Sequence, residues 1–181
     1  MEINNKKTNT QVFLIHNKGT LASKTKNLLQ NYFVVENYLV NKKKSAKSIS
    51  KEVEDYIAEN KFKLIIFISG ETQNEKIMKK ANQLIPINIA NLCSKFSIPL
   101  IYLSSLSVFG IPKQKVINGN SLRDPYDIYG MTKNSLDIHI KNKLKDLNYS
   151  CIAPGSIINP DSSNQNLIKQ GINVFKNKIL K

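Results

Sequence analysis

The segment "KLIIFIS", Lys63 to Ser69, sets five apolar residues in a row and so presents apolar side chains to both faces of any strand it forms. Such a strand cannot leave a face to water, which places it inside a parallel sheet covered on both sides. Four more segments read as strands: "QVFLIHN" (Gln11 to Asn17), "FVVENYLV" (Phe33 to Val40), "PLIYLSS" (Pro99 to Ser105) and "SCIAPGSI" (Ser150 to Ile157). Helical patterns alternate with them. "LASKTKNLLQNY" follows the first, and "SAKSISKEVEDYIAEN", with an Ile49, Val53, Ile57 stripe, follows the second. A long helical region runs to Phe96 and contains Pro86, which should kink or split it. A further helix, within "DPYDIYGMTKNSLDIHIKNKLKDLN", carries Leu136, Ile140, Leu144 and Leu147 on one stripe. "NKKKSAKS" reads as an exposed loop.

Strands alternating with helices predict an α/β fold, a doubly wound parallel sheet of Rossmann type with helices on both faces. A ligand of such a sheet sits at the carboxyl ends of the strands. At 181 residues the chain suits a single domain, residues 1–181. It has no stretch long enough to span a membrane, and its start, "MEINNKKTNTQ", is polar, so a cytoplasmic protein is expected. Cys93 and Cys151 lack metal-ligand spacing and fall in apolar segments, which predicts buried free thiols and no metal site.

The formal charge of +14 raises the question of a nucleic-acid partner. Of the 27 basic residues only Arg123 is arginine, and the lysines are strewn among many Asn and Ile residues, a set that A/T-rich codons alone would produce. Base readers rely on arginine and exposed aromatics, so nucleic acid is not the expected partner.

Extending the stripe of the Leu136 helix toward its N-terminus reaches Lys133 and then Tyr129. An unpaired buried ammonium is costly, so Lys133 needs a polar partner or a wet cavity, and a site at the strand ends supplies one. One helical turn sets Tyr129 beside Lys133, whose charge should lower the phenol pKa and make it a usable acid or base. The alternative is a tyrosine and a snorkelling lysine at the helix margin. His139, at the edge of the stripe, reads as a surface histidine.

The fourth strand ends in "SSLSVFG", Ser104 to Gly110, and "YGMTK" follows. Together these resemble the extended short-chain dehydrogenase/reductase family, the NAD-dependent epimerases and dehydratases of nucleotide sugars. That family has Ser-Ser-x-x-Val-Tyr-Gly and then Tyr-Gly-x-Ser/Thr-Lys-x-x-x-Glu. Here Phe109 and Asp137 stand at the changed positions. The resemblance reaches Asn82 in "KKANQLIPINIANL" and Pro154 in "IAPG", and spans roughly residues 11 to 160. It implies Tyr129 as the acid/base, Lys133 as the residue that holds the nicotinamide ribose and tunes Tyr129, and Ser105 as a hydrogen-bond partner of the reacting oxygen. It further implies Asn82 positioning the cofactor or a relay water, and Gly19, Ser69, Gly70 and Pro154 along the cofactor, NAD or NADP. The substrate implied is a nucleotide sugar.

Three departures qualify what the resemblance implies. Its first-strand loop is Gly-x-x-Gly-x-x-Gly, where this chain has His16, Gly19 and Ala22, so His16 is expected at a tight turn with a positive φ. The second strand ends in Asn41, Lys42, Lys43 and Lys44 instead of an acid, and these lysines either meet an NADP phosphate or form a solvated loop. Members of the family continue into a C-terminal substrate domain, whereas this sequence ends after "NLIKQGINVFKNKILK". The implied reading is an epimerase or reductase; Leu106 and Ser107 replace the acid pair of the 4,6-dehydratases. The chain is then a truncated member, a degenerate paralogue that binds without catalysis, or half of a site completed by a second copy in a homo-oligomer or by a complementing subunit.

Overall fold

The computed structural model describes residues 7–111 and 115–155. The C-terminal helical segment and Ser156 and Ile157 of the expected fifth strand lie outside the described residues. Five strands, β1 (Gln11–His16), β2 (Val34–Leu39), β3 (Leu64–Ile68), β4 (Leu100–Leu103) and β5 (Tyr149–Ile152), form one parallel sheet in the order β2-β1-β3-β4-β5. The chain winds outward from β1 first to β2 and then, beyond β3, to β5. This is the Rossmann-type doubly wound topology, whose switch point lies between β1 and β3.

Alternation along the strands divides the core in two. Phe13, Ile15, Ile65 and Phe67 face a large cluster with α2 (Ala46–Glu59), α4 (Ile85–Lys95) and α5 (Ile128–Lys143). Val12, Leu14 and Ile66 face the other side, where Leu29 of α1 (Thr20–Gln30) packs on them. Helices therefore cover both faces. Ile49, Val53 and Ile57 are all buried, as their spacing predicts. Among the described residues, no helix is long and apolar enough to cross a membrane.

The long helical region is split beside Pro86, as expected, and two other expectations need correction. A short helix, α3 (Glu75–Met78), leads into a π-helical turn at Lys79–Leu84, and Pro86 is the second residue of α4, where its missing N–H costs nothing. Helix α5 ends at Lys143, so Leu147 reaches the core from the turn beyond it and Leu144 is the C-cap. Cys93 is buried, but Cys151, on β5, is only half-buried.

Candidate active site

Helix α5 starts where Asp127 accepts a hydrogen bond from the Gly130 N–H at 2.6 Å. Gly130 then allows the helix to press against the turn after β4: a Cβ there would lie 2.5 Å from the Ser107 carbonyl oxygen. That turn, a 3₁₀ helix at Leu106–Phe109, is capped by Ser105, whose Oγ accepts from the Ser107 N–H at 3.2 Å and lies 3.2 Å from the Ser107 Oγ. Close approach of these two elements sets Ser105 against Tyr129.

Lys133 points into the protein at 8% exposure, its Nζ donating to the Ser69 carbonyl at 3.2 Å and the Leu103 carbonyl at 3.1 Å. It thus ties the carboxyl ends of β3 and β4 together. Gly70 gives it room: a Cβ there would sit 3.0 Å from Nζ and 3.1 Å from the Asn82 Oδ1. Burial pushes the Lys133 pKa down to about 8, with the Lys42 charge adding to the effect and Cys151 opposing it.

A cavity of about 230 Å³ opens at these strand ends, and Gly19, Ser69, Gly70, Ser105, Tyr129, Lys133 and Pro154 all line it. The structure brings seven sequence-predicted residues to one place. Asn82 stands apart from that lining. It is buried behind the loop after β3, its Oδ1 accepting from the Glu71 N–H at 2.8 Å and its Nδ2 donating to the Glu71 carbonyl at 2.8 Å and to Thr132 Oγ1 at 3.2 Å. Its place is that of a clamp on the Glu71 peptide. Asn17, whose Nδ2 donates to the Gly70 carbonyl at 3.1 Å, and Thr72 also line the cavity, and sequence reasoning missed both. Asn17, directly after apolar β1, carried the available signal; Thr72, four residues beyond β3, carried none.

Two further expectations also change. Burial raises the Tyr129 pKa and Asp127 adds to this, while a hydrogen bond from Ser105 pulls the other way; the lowering expected from Lys133 is not seen. The Lys133 charge is directed at two backbone carbonyls instead. His16 is not at a tight turn: it is the last residue of β1, paired with Leu39 and Ile68. Among the described residues the only non-glycine positive φ is at Ser97. His139 is partly exposed and bonds Asn91 Oδ1 at 2.8 Å.

The cavity carries marks of a polar occupant. Ser69 and Ser104, 5% and 3% exposed, both line it, and their Oγ atoms have no hydrogen-bond partner among the described residues. Gly19 caps α1 with extended backbone, and nothing lies within 4 Å of where its Cβ would be, so the helix N-terminus opens onto free space.

Over residues 12–150 the sequence matches the RmlD substrate binding domain family. The chain belongs to that family. No curated protein matches the sequence. Among solved structures, dTDP-4-dehydrorhamnose reductase from Yersinia enterocolitica superposes with a TM-score of 0.73 at 20% identity, covering 94% of this chain and 61% of that one. The Bacillus anthracis dTDP-4-dehydrorhamnose reductase, solved with NADP, gives 0.73 at 17% identity, with 94% and 61% covered. The enzyme WbmG of Bordetella bronchiseptica, solved with NAD, gives 0.70 at 13%, with 97% and 62% covered. The likeness confirms the Rossmann-type fold, and the chain spans about three fifths of the length of these structures.

Proposed function

We propose that this chain forms one dinucleotide-binding domain of an NAD(P)-dependent reductase of the extended short-chain type, acting on a nucleotide-linked sugar. The observation that carries the reading is the convergence of Ser105, Tyr129 and Lys133 on one cavity at the carboxyl ends of the strands. The family match and the NADP and NAD bound in similar folds support the cofactor class.

The residues present fit such a group. Gly19 leaves the α1 N-terminus open to a pyrophosphate, Gly70 and Pro154 line the path, and the unpartnered Ser69 and Ser104 hydroxyls offer hydrogen bonds. A reduced nicotinamide supplies the hydride in this chemistry. The protein's own contribution is a proton and its placement. Because burial keeps the Tyr129 phenol protonated at neutral pH, it acts as the acid that protonates the oxygen left anionic by carbonyl reduction. Ser105, within hydrogen-bonding reach of Tyr129, donates to that same oxygen. Lys133 has three N–H donors and spends two on Ser69 and Leu103, leaving one for a ribose hydroxyl. These roles favour a reductase over an epimerase, which needs Tyr129 as a base in its first step.

A second reading, a non-catalytic dinucleotide-binding protein, draws on the same raised Tyr129 pKa. Tyr129→Phe separates the two. In the enzyme it lowers turnover of a 4-keto nucleotide sugar by about 10² to 10⁴ and leaves cofactor affinity unchanged. A parent that binds the dinucleotide but turns over no such substrate, alone or with a complementing subunit, overturns the enzyme reading.

A further inference from the structure

A second, larger cavity of about 690 Å³ lies beside the first, lined by Lys18, Tyr38, Lys42, Lys43, Lys44 and Glu52, and Asn17 lines both. A bridge crosses between them. Lys42, just beyond β2, donates from Nζ to the Gly70 carbonyl at 2.6 Å and to Glu71 Oε2 at 2.9 Å, just beyond β3. Since β1 lies between β2 and β3, this ion pair spans its carboxyl end. Both side chains are largely screened from water, at 24% and 18% exposure.

The two partners are held very differently. Glu71 is fixed without Lys42: its Oε1 accepts the N–H groups of Thr72 and Gln73 at 3.0 Å each and of Asn74 at 3.3 Å. Asn82 clamps its peptide from both sides. Hydrogen bonds from the Gln73 backbone and from Lys42 hold its carboxyl down to about 2, so it is ionised at neutral pH. Lys42 sits on a flexible four-carbon stem in a loop, so the cation can move and the anion cannot. Of the other two lysines beyond β2, Lys44 is paired with Glu52 at 2.8 Å, and the Lys43 side chain has no polar partner among the described residues.

We propose that Glu71 is a specificity-determining residue: it holds Lys42 in an internal ion pair, withholds it from a phosphate on the adenosine ribose, and so sets the preference between NAD and NADP. The inference rests on the dinucleotide reading above. In a sheet of this type the adenosine ribose lies at the end of β2, where Lys42 and the larger cavity are. A ribose phosphate there must draw Lys42 from a carboxylate that is already in place. The lysines after β2 therefore discriminate for a phosphorylated dinucleotide less than their number suggests.

The test is a double-mutant cycle of Glu71→Gln and Lys42→Met, each protein titrated with NADPH and with NADH. Glutamine keeps the oxygen that accepts from Thr72, Gln73 and Asn74, so the loop is retained. Glu71→Gln should tighten NADPH relative to NADH by about twofold to fivefold, the scale of one partly exposed ion pair. In the Lys42→Met background the gain should vanish. The inference is overturned if both dinucleotides tighten together, if neither does, or if the gain persists without Lys42. Where the parent binds neither dinucleotide, the cofactor reading fails on its own, and 2′,5′-ADP against 5′-ADP still decides on Glu71. A gain on Glu71→Gln that depends on the 2′-phosphate upholds it, and an unchanged ratio overturns it.

Discussion

Lys133→Met should make the protein more stable at neutral pH while disabling its site. Burial lowers the Lys133 pKa from 10.5 to about 8, so the charged form is disfavoured in the fold by about 3 kcal/mol. Methionine keeps the apolar stem and removes that cost. It also removes two hydrogen bonds, to the Ser69 and Leu103 carbonyls, together worth about 2 kcal/mol. The net expectation at pH 7 is a gain of about 1 kcal/mol. The pH dependence gives a sharper signature. Because the pKa falls on folding, between about 8 and 10.5 the native state has released a proton that the unfolded chain still holds. Stability from this group therefore rises with pH across that window and is lowest below it. The variant lacks the rise, so its advantage should shrink by about 2.5 kcal/mol between pH 7 and pH 10 and change sign. Urea unfolding of parent and variant at both pH values measures this directly. A variant less stable than the parent at pH 7, with a difference that does not change with pH, would refute the account of Lys133 as a cation held at a cost to stability.

Further outcomes follow from the same geometry. Gly70→Ala should cost about 1 to 2 kcal/mol in urea unfolding and weaken dinucleotide binding, because its Cβ meets Lys133 Nζ at 3.0 Å and Asn82 Oδ1 at 3.1 Å. Asn82→Ala should cost about 2 to 3 kcal/mol through the Glu71 N–H and carbonyl it leaves unpaired; a loss below 0.5 kcal/mol in the same assay would contradict the clamp. His16→Gly should lower thermal stability and should not tighten NADH or NADPH, since His16 ends a strand without a positive φ to relieve. Tighter binding in that variant would restore the strained-loop expectation.

The fold was legible because its signals are local. Runs such as Leu64 to Ile68 can only be central strands, and the Ile49, Val53, Ile57 stripe can only face them. The strand-end rule places Ser105 near Tyr129 and Lys133 from sequence alone. What escaped were long-range effects. The phenol pKa depends on where the Lys133 ammonium points, and two carbonyls from separate strands decide that. The role of Asn82 as a clamp is visible only where the fold lays Glu71 and Thr132 against it. The Lys42 to Glu71 ion pair joins residues 29 apart in sequence, with no periodicity to announce it. Pro86 shows the same limit: helix rules predict a break beside it, but not that the break takes the form of a π-helical turn upstream.

If the cavity lined by Ser105, Tyr129 and Lys133 holds a nicotinamide dinucleotide, calorimetric titration of the protein with NADPH and with NADH should show saturable binding of one molecule per chain. That binding should weaken by at least about tenfold in Lys133→Met, which loses the ribose contact. Absence of binding by either nucleotide, or affinity that Lys133→Met leaves unchanged, would contradict the dinucleotide reading.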